Sequence, residues 1–147
     1  MPAAAPLRPA RRRTSLASRF PELDQPLTSL VGALRTGLPT ERVDALTETL
    51  GLPAARVASL LGIPTSTLAR RRAGGRLDRD ESERTYRLAR LVQRATDVLG
   101  TIEDARDWLT APQIALGGVA PLVFADTEPG AQEVMNVLGR IEHALPL

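Results

Sequence analysis

The chain has 147 residues, no cysteine and a formal net charge of +2. This length suits one modest domain or two small ones with a real hydrophobic core, and the lack of cysteine excludes disulfides, thiolate metal sites and a catalytic cysteine. The apolar runs are short and broken by charges, so none approaches the roughly 20 residues of a membrane span. We therefore expect a soluble protein in a reducing cytoplasm.

The small net charge conceals two oppositely charged halves. Residues 1–76 hold 12 arginines and 5 acidic residues, a net +7, whereas residues 77–147 hold 7 arginines and 12 acidic residues, a net −5. All the basic residues are arginine, which a GC-rich genome favours and which also suits bidentate phosphate contacts. The first half is therefore the candidate for a polyanionic partner.

Residues 1–21 are rich in Pro, Ala and Arg and contain no acidic residue. This composition predicts a disordered basic arm without a packed core. The pair Arg12-Arg13 is found in twin-arginine export signals, but Pro21-Glu22-Leu23-Asp24 stands where the long apolar segment should begin, so we expect no such signal. The arm either adds non-specific phosphate contacts or is a solvated tail.

Two scaffold helices are predicted before residue 52. The first lies around Leu27–Leu34. Thr40 is placed to cap the second, which turns its apolar residues inward and ends at Gly51. The inward residues of this second helix are Val43, Leu46 and Leu50.

A helix-turn-helix pattern comes next in the chain. Pro53 begins one helix, and Gly62-Ile63-Pro64 forms a sharp turn after it. Thr65-Ser66 then cap a second helix that ends at Arg72. The small residue Ala58 stands where the two helices cross, as this motif requires.

The second helix of the pair has the residues of a major-groove reader. Hydroxyl groups near its start suit base edges, and the arginines that follow suit guanine and phosphate. A solvated basic helix end is the alternative, because arginine near a helix C-terminus also suits the helix dipole. The spacing of the apolar residues, the local positive charge and the turn between the helices together favour DNA binding. Helix-turn-helix units usually bind as pairs to two-fold DNA sites, which implies a homodimer. The candidate DNA-binding residues are Thr65, Ser66, Thr67, Arg70, Arg71, Arg72 and Arg76.

One long connecting helix is predicted over residues 77–100. Asp78-Arg79-Asp80-Glu81 reads as a capping box at its start, and Gly100 ends it. Its apolar residues recur at the helical period. The opposite face carries the pairs Asp80–Arg84 and Glu83–Arg87, four residues apart, which is typical of a solvated face. This helix joins the basic half to the acidic half.

Residues 101–122 are predicted to form a compact apolar corner. Thr101-Ile102-Glu103-Asp104 reads as a capping box for a helix that Pro112 bars from continuing. Gly117-Gly118 let the chain reverse at positive φ, and Pro121 suits the first turn of another short helix. We interpret the corner as a structural brace that aims the last helix and its tail. The brace residues are Trp108, Leu109, Pro112, Leu116, Gly117, Gly118, Pro121 and Leu122.

The last predicted helix follows Asp126-Thr127-Glu128-Pro129 and turns one apolar stripe inward. The stripe comprises Ala131, Val134, Met135, Leu138 and Ile141. The chain then ends in the apolar tail Ala144–Leu147. Such a tail frays unless a partner orders it.

The sequence offers few parts for catalysis. It has one histidine, His143, and neither a Gly-rich phosphate loop nor a Gly-x-Ser-x-Gly motif. A histidine near a helix C-terminus is typical of a surface residue that suits the helix dipole. No metal constellation is visible, and no cofactor is expected. An enzyme would need carboxylates brought together in space, so we expect a protein that is not an enzyme.

A further set of motifs runs through the second half of the chain. It comprises Arg106-Asp107-Trp108-Leu109, Pro112, Ala115-Leu116-Gly117-Gly118, Pro121-Leu122, Thr127-x-x-Gly130, Val134, Leu138 and Arg140-Ile141-Glu142-His143. Together these motifs resemble the toxin-binding domain of the Xre/MbcA/ParS antitoxins, the partners of RES-domain toxins. Upstream, Thr67-Leu68-Ala69-Arg70-Arg71, Leu77 and Glu81-Ser82-Glu83-Arg84 resemble the DNA-binding part of the same proteins. The resemblance runs from about Thr40 to His143.

The resemblance implies an all-α fold, with an N-terminal Xre-like helix-turn-helix domain followed by a small helical toxin-binding domain. It implies an antitoxin of a type II toxin-antitoxin system that dimerises and represses its own operon by binding operator DNA. Its RES-domain toxin consumes NAD or uses NAD to modify a protein, and the two proteins form a larger hetero-oligomer. In this family the C-terminal region of the antitoxin reaches into the active-site cleft of the toxin. Carried over here, the toxin-binding residues are Arg140, Glu142, His143, Ala144, Leu145, Pro146 and Leu147.

The leading hypothesis assigns operator binding to the region 22–76, mainly residues 40–76, and toxin binding to residues 101–147, with residues 77–100 between them. Two other classes remain open. A stand-alone helix-turn-helix regulator would use its C-terminal domain only to dimerise or to sense a ligand. A small hydrolase or transferase would rest on carboxylates whose positions the sequence does not show.

Overall fold

A computed structural model describes residues 15–144. Within this range the chain forms nine helices and no β-strand, which confirms the predicted all-α class. None of these helices is both long enough and apolar enough to cross a bilayer. The helices are α1 (Ser15–Arg19), α2 (Leu27–Thr36), α3 (Glu41–Leu50), α4 (Ala54–Leu60), α5 (Thr65–Gly74), α6 (Arg79–Leu99), α7 (Ile102–Thr110), α8 (Pro121–Phe124) and α9 (Glu128–Ala144), with 3-10 turns at Pro21–Asp24 and Ile114–Leu116.

The prediction of a disordered arm is wrong for residues 15–21. This segment forms α1 and the start of the turn Pro21–Asp24, and its side chains Leu16 and Phe20 are almost completely buried. Leu16 lies within α1, and Phe20 directly follows the helix. The guanidinium carbon of Arg42 lies 6.0 Å from the centre of the Phe20 ring. Residues 1–14 lie outside the described part of the chain.

Helices α2 to α5 occupy the region where four helices were predicted. Gly51 ends α3 at φ +64° and Gly62 forms the turn between α4 and α5 at φ +65°, both in the left-handed region that glycine tolerates. The hydroxyl caps predicted for α3 and α5 are wrong. The Thr40 side chain makes no cap hydrogen bond. Pro64 occupies the position that precedes α5, so Thr65 lies inside the first turn instead of capping it.

The long helix α6 is the central element of the fold. Its predicted capping box is confirmed: the Glu81 N–H donates to the Asp78 carboxylate at 2.7 Å, and the Asp78 N–H donates to the Glu81 carboxylate at 2.8 Å. Gly100 ends the helix as predicted. One core runs on both sides of α6, which packs against α2, α3, α7 and α9. Its buried apolar residues are Leu88, Ala89, Leu91, Val92 and Ala95.

Arginines on the polar face of α6 do not form the predicted pairs within the helix. The Arg84 Nε donates instead to the carbonyl oxygen of Leu61 at 2.7 Å. The Arg87 Nε lies 2.8 Å from the carboxylate of Glu128, close enough for an ion pair but not aligned for a hydrogen bond. These long side chains reach partners on α9 and beside the helix-turn-helix turn. The face therefore contacts both halves of the chain.

Helices α7, α8 and α9 build the second half. The Asp104 N–H donates to the Thr101 hydroxyl at 3.1 Å, so the predicted cap of α7 is present on the Thr101 side. Pro121 begins α8 as predicted. The buried face of α9 contains Ala131, Val134, Val137 and Leu138.

Candidate functional site

The turn between α4 and α5 has the features of a helix-turn-helix. After Gly62 reverses the chain, the Ile63 N–H donates to the Ala58 carbonyl at 2.9 Å. Ile63 and Leu68 are buried, so they fill the angle between the two helices as the motif requires. This packing holds the start of α5 at the protein surface.

Four of the predicted DNA-binding residues lie together at the solvent side of α5. Thr65, Ser66 and Arg70 are exposed, and Thr67 is half-buried. Arg70 makes no hydrogen bond or ion pair with the residues that the structure describes. Its guanidinium is therefore available to an external acceptor, which is the condition for a base or phosphate contact.

Arg71 is turned towards α6 instead. Its Nε donates to the carboxylate of Glu81 at 2.8 Å, and its Nη2 donates to Asp78 at 3.1 Å. These contacts raise the pKa of the Arg71 guanidinium, and the hydrogen bond to Glu81 has the largest effect. The side chain thus joins the end of α5 to the start of α6.

Arg72 and Arg76 also have partners within the chain. The Arg72 Nη2 donates to the Asp44 carboxylate at 2.8 Å, and the Arg76 Nη1 donates to the Gly37 carbonyl at 2.7 Å. Both residues are nevertheless exposed to solvent. The structure therefore places all seven predicted residues on or just after α5 but divides the arginines between solvent and internal contacts.

One cation that the sequence reasoning missed is Arg56. It is exposed in the first turn of α4, and its guanidinium makes no ion pair or hydrogen bond within residues 15–144. In a helix-turn-helix the first helix crosses the DNA backbone, so a cation there suits phosphate. The available signal was its position, because Arg56 falls in the first turn of the first helix of the motif.

At the end of α9, two of the predicted toxin-binding residues are paired within the chain. The Arg140 Nη2 donates to Glu133 at 3.1 Å, and Glu142 accepts bonds from both terminal nitrogens of Arg94 at 2.8 and 3.2 Å. The Arg94 hydrogen bonds hold the pKa of Glu142 below its usual range, and Arg140 does the same for the pKa of Glu133. His143 and Ala144 are exposed. Leu145, Pro146 and Leu147 lie outside the described residues.

The predicted brace residues differ in how far they are buried. Four of them are buried, Trp108 is half-buried, and Pro112 is exposed. Gly117 and Gly118 have φ of +69° and +82°, which confirms the predicted reversal at positive φ. The bracing role itself stays a prediction. The four buried residues are Leu109, Leu116, Pro121 and Leu122.

An exposed apolar side chain in the same corner was not predicted. Ile114 is 98% exposed, and Val119 and Val123 are 37% and 42% exposed. In the 3-10 turn Ile114–Leu116 it is Leu116 that points into the core. Both residues are apolar, and the sequence alone does not show which side of a short turn faces inward.

Comparison with protein families matches both halves of the chain. Residues 29–90 match the antitoxin Xre-like helix-turn-helix domain, and residues 94–144 match the antitoxin Xre/MbcA/ParS C-terminal toxin-binding domain. The two matched segments meet within α6. The narrower boundaries at residues 76 and 101 stay a prediction.

Three relatives cover most of the chain. Antitoxin Xre from Yersinia enterocolitica is 34% identical over 120 residues, which is 80% of this chain and 81% of that protein. Antitoxin Xre from Photorhabdus laumondii is 34% identical over 128 residues, 86% of this chain and 85% of that protein. The Prs ADP-ribosylating antitoxin from Sphingobium sp. is 28% identical over 122 residues, 76% of this chain and 77% of that protein. The chain therefore belongs to the Xre family of antitoxins, with a helix-turn-helix domain followed by a toxin-binding domain.

Proposed function

We propose that this chain neutralises a RES-domain toxin by occluding its active site and represses its own operon as a homodimer bound to operator DNA. The proposal rests on one observation: the same chain contains an antitoxin helix-turn-helix domain and an antitoxin toxin-binding domain, which meet within α6. A helix-turn-helix domain alone would not distinguish an antitoxin from an ordinary regulator. The proposal requires no cofactor and no catalytic residue in the chain itself.

The operator-binding surface consists of the exposed start of α5 with the free arginines beside it. Thr65, Ser66 and Thr67 reach base edges in the major groove, and Arg70 contacts guanine or phosphate. Arg56 adds a phosphate contact from α4. Arg72 and Arg76 contribute positive charge at the surface, and Arg71 positions α5. Two such units on a two-fold operator explain the homodimer.

The toxin-blocking element is the end of α9 with the tail that follows it, residues 140–147. This assignment comes from the resemblance of Arg140-Ile141-Glu142-His143 to the family motif. An NAD-using toxin fits the name of the Sphingobium relative, because ADP-ribosylation draws its ADP-ribose from NAD. Leu145 and Leu147 supply apolar side chains for a narrow cleft.

Co-expression tests the proposal. We expect cells that produce the product of the neighbouring reading frame to stop growing, and to resume growth when this chain is produced with it. A chain truncated before Ala144 should bind operator DNA normally but protect poorly. Equal toxicity with and without this chain would reject the antitoxin function and favour the stand-alone regulator. Full protection by the truncated chain would reject the tail as the blocking element.

A further inference from the structure

We propose that the toxin is anchored on a second surface, the loop surface, formed by Ile114, Val119 and Val123. This inference rests on the proposed function, because it names where the toxin docks in addition to the tail. Ile114 is 98% exposed, and the other two side chains are more than a third exposed. Several exposed aliphatic side chains in one corner, two of which line the same groove, are typical of a surface that a partner covers.

The loop that carries Ile114 is held in one conformation. The Gln113 N–H donates to the Val119 carbonyl at 3.2 Å, and the Gly118 N–H donates to the Gln113 carbonyl at 2.9 Å. The Gln113 side-chain amide donates to the Trp108 carbonyl at 3.0 Å, and Leu116 anchors the loop in the core. A loop ordered before binding loses little conformational entropy on docking, so Ile114 is presented as a preformed contact.

The loop surface continues into a groove of about 480 Å³ between α8 and the start of α9. Val119 and Val123 form part of its lining, and so do the acidic residues Asp126 and Glu133, which we call the acidic rim. Asp126 is exposed and has no ion pair with the described residues. The groove therefore offers an apolar floor with an acidic rim.

Charge identifies the kind of partner. Residues 101–133 contain six acidic residues and one arginine, so this region repels nucleic acid. A second copy of the chain fits poorly as well, because a two-fold contact would place the same acidic rim against itself. The complementary partner is a protein surface with an apolar pocket surrounded by arginine or lysine. Within the proposed function that partner is the toxin.

The groove and the blocking end lie along one helix. Glu133 of the acidic rim accepts a hydrogen bond from Arg140 at 3.1 Å, two turns further along α9. Because residues seven apart share a helix face, a toxin seated on the loop surface extends along α9 towards the tail. The loop surface then provides most of the affinity for the toxin, and the tail blocks the active site of the toxin.

Calorimetric titration of the purified chain into the toxin tests this inference. The toxin is the product of the neighbouring reading frame, made catalytically inactive. We expect Ile114→Asp to weaken toxin binding about 30-fold, the size of a hot-spot loss. The matched control is Leu27→Asp on α2, which replaces another apolar side chain that is 74% exposed, outside the toxin-binding domain. We expect that control to bind the toxin like the unaltered chain.

The outcomes separate the two proposals. Because Ile114 has almost no buried surface, Ile114→Asp should melt at the same temperature as the unaltered chain. Binding by the unaltered chain, with equally tight binding by Ile114→Asp, would overturn the loop surface and leave the antitoxin function standing. No binding by the unaltered chain would reject the antitoxin function itself. Equal losses in Ile114→Asp and Leu27→Asp would also overturn the loop surface.

Discussion

The Nε of Arg71 donates a hydrogen bond to the buried carboxylate of Glu81 at 2.8 Å, and the same oxygen accepts the N–H of Asp78. One carboxylate therefore caps α6 and also holds the end of α5. This relationship separates the arginines of α5 by role. Arg71 contacts α6, whereas the guanidinium of its neighbour Arg70 has no partner within residues 15–144 and is the DNA contact that we propose.

Arg70→Ala and Arg71→Ala should consequently fail in different ways. We expect Arg70→Ala to weaken operator binding roughly tenfold or more while its melting temperature is unchanged. We expect Arg71→Ala to lower the melting temperature, because Glu81 loses its charged partner in a buried position. Electrophoretic mobility shifts and thermal melts measure the two effects. An unchanged operator affinity for Arg70→Ala would contradict its proposed contact.

Arg56→Ala provides a second test of the operator-binding surface. A phosphate contact carries no sequence information, so we expect binding to weaken on specific and non-specific DNA alike. The slope of log affinity against log salt concentration should become shallower by about 1. The measurement is a salt titration by fluorescence anisotropy. An unchanged slope would show that α4 makes no such contact.

Gly130 and Gly139 make a matched pair within α9. A Cβ at Gly130 would overlap the carbonyl oxygen of Phe124, whereas a Cβ at Gly139 would meet nothing. We expect Gly130→Ala to lower the free energy of unfolding by about 1–3 kcal/mol through overpacking. We expect Gly139→Ala to raise it by about 0.5–1 kcal/mol through helix propensity. Urea unfolding measures both, and effects of the same sign would refute this account of how α8 packs on α9.

Arg106 connects the toxin-binding domain to the helix-turn-helix domain. Its Nε donates to the Thr49 carbonyl at 2.6 Å and its Nη2 donates to the Glu48 carbonyl at 3.4 Å, at the C-terminus of α3. Arg106→Met keeps the apolar stem but removes both donors, and we expect a loss of about 1–3 kcal/mol in urea unfolding. Arg140→Met is the control, because its ion pair with Glu133 is exposed. A loss in Arg140→Met as large as that in Arg106→Met would argue against a cross-domain contact.

The end of α9 should loosen in acid. The hydrogen bonds from Arg94 lower the pKa of Glu142 in the folded chain. A carboxyl whose pKa is lowered on folding contributes stability above its unfolded pKa of about 4.3, and this contribution is lost as pH falls through the folded pKa. Amide exchange near residue 142 should therefore accelerate in that window. Arg94→Gln should show faster exchange already at neutral pH, and identical profiles for both proteins would rule out this pair.

Local signals explain which features of the fold were predictable. The capping box at Asp78 and Glu81, the reversals at Gly62 and Gly117-Gly118, and the start of α8 at Pro121 each depend on a few adjacent residues. Those features were predicted because backbone geometry restricts the residues that fit there.

Long-range pairing explains what was missed. Arg71 with Glu81, Arg84 with Leu61 and Arg106 with Thr49 come together only after the helices pack. Sequence spacing therefore suggested a helix-surface pair for Arg84 and did not show the internal partners of Arg71 and Arg106. Composition likewise hid the burial of Leu16 and Phe20, because two apolar residues suffice to dock a short helix onto an existing core.

The most direct test of the account is NAD turnover by the purified product of the neighbouring reading frame, measured while this chain is titrated into the reaction. We predict that turnover falls in proportion to the added chain and stops at a fixed molar ratio, because the tail occupies the toxin's active site. The chain lacking residues 144–147 should bind without stopping turnover. Turnover by an active toxin that is unaffected by an excess of the full chain would contradict the central claim.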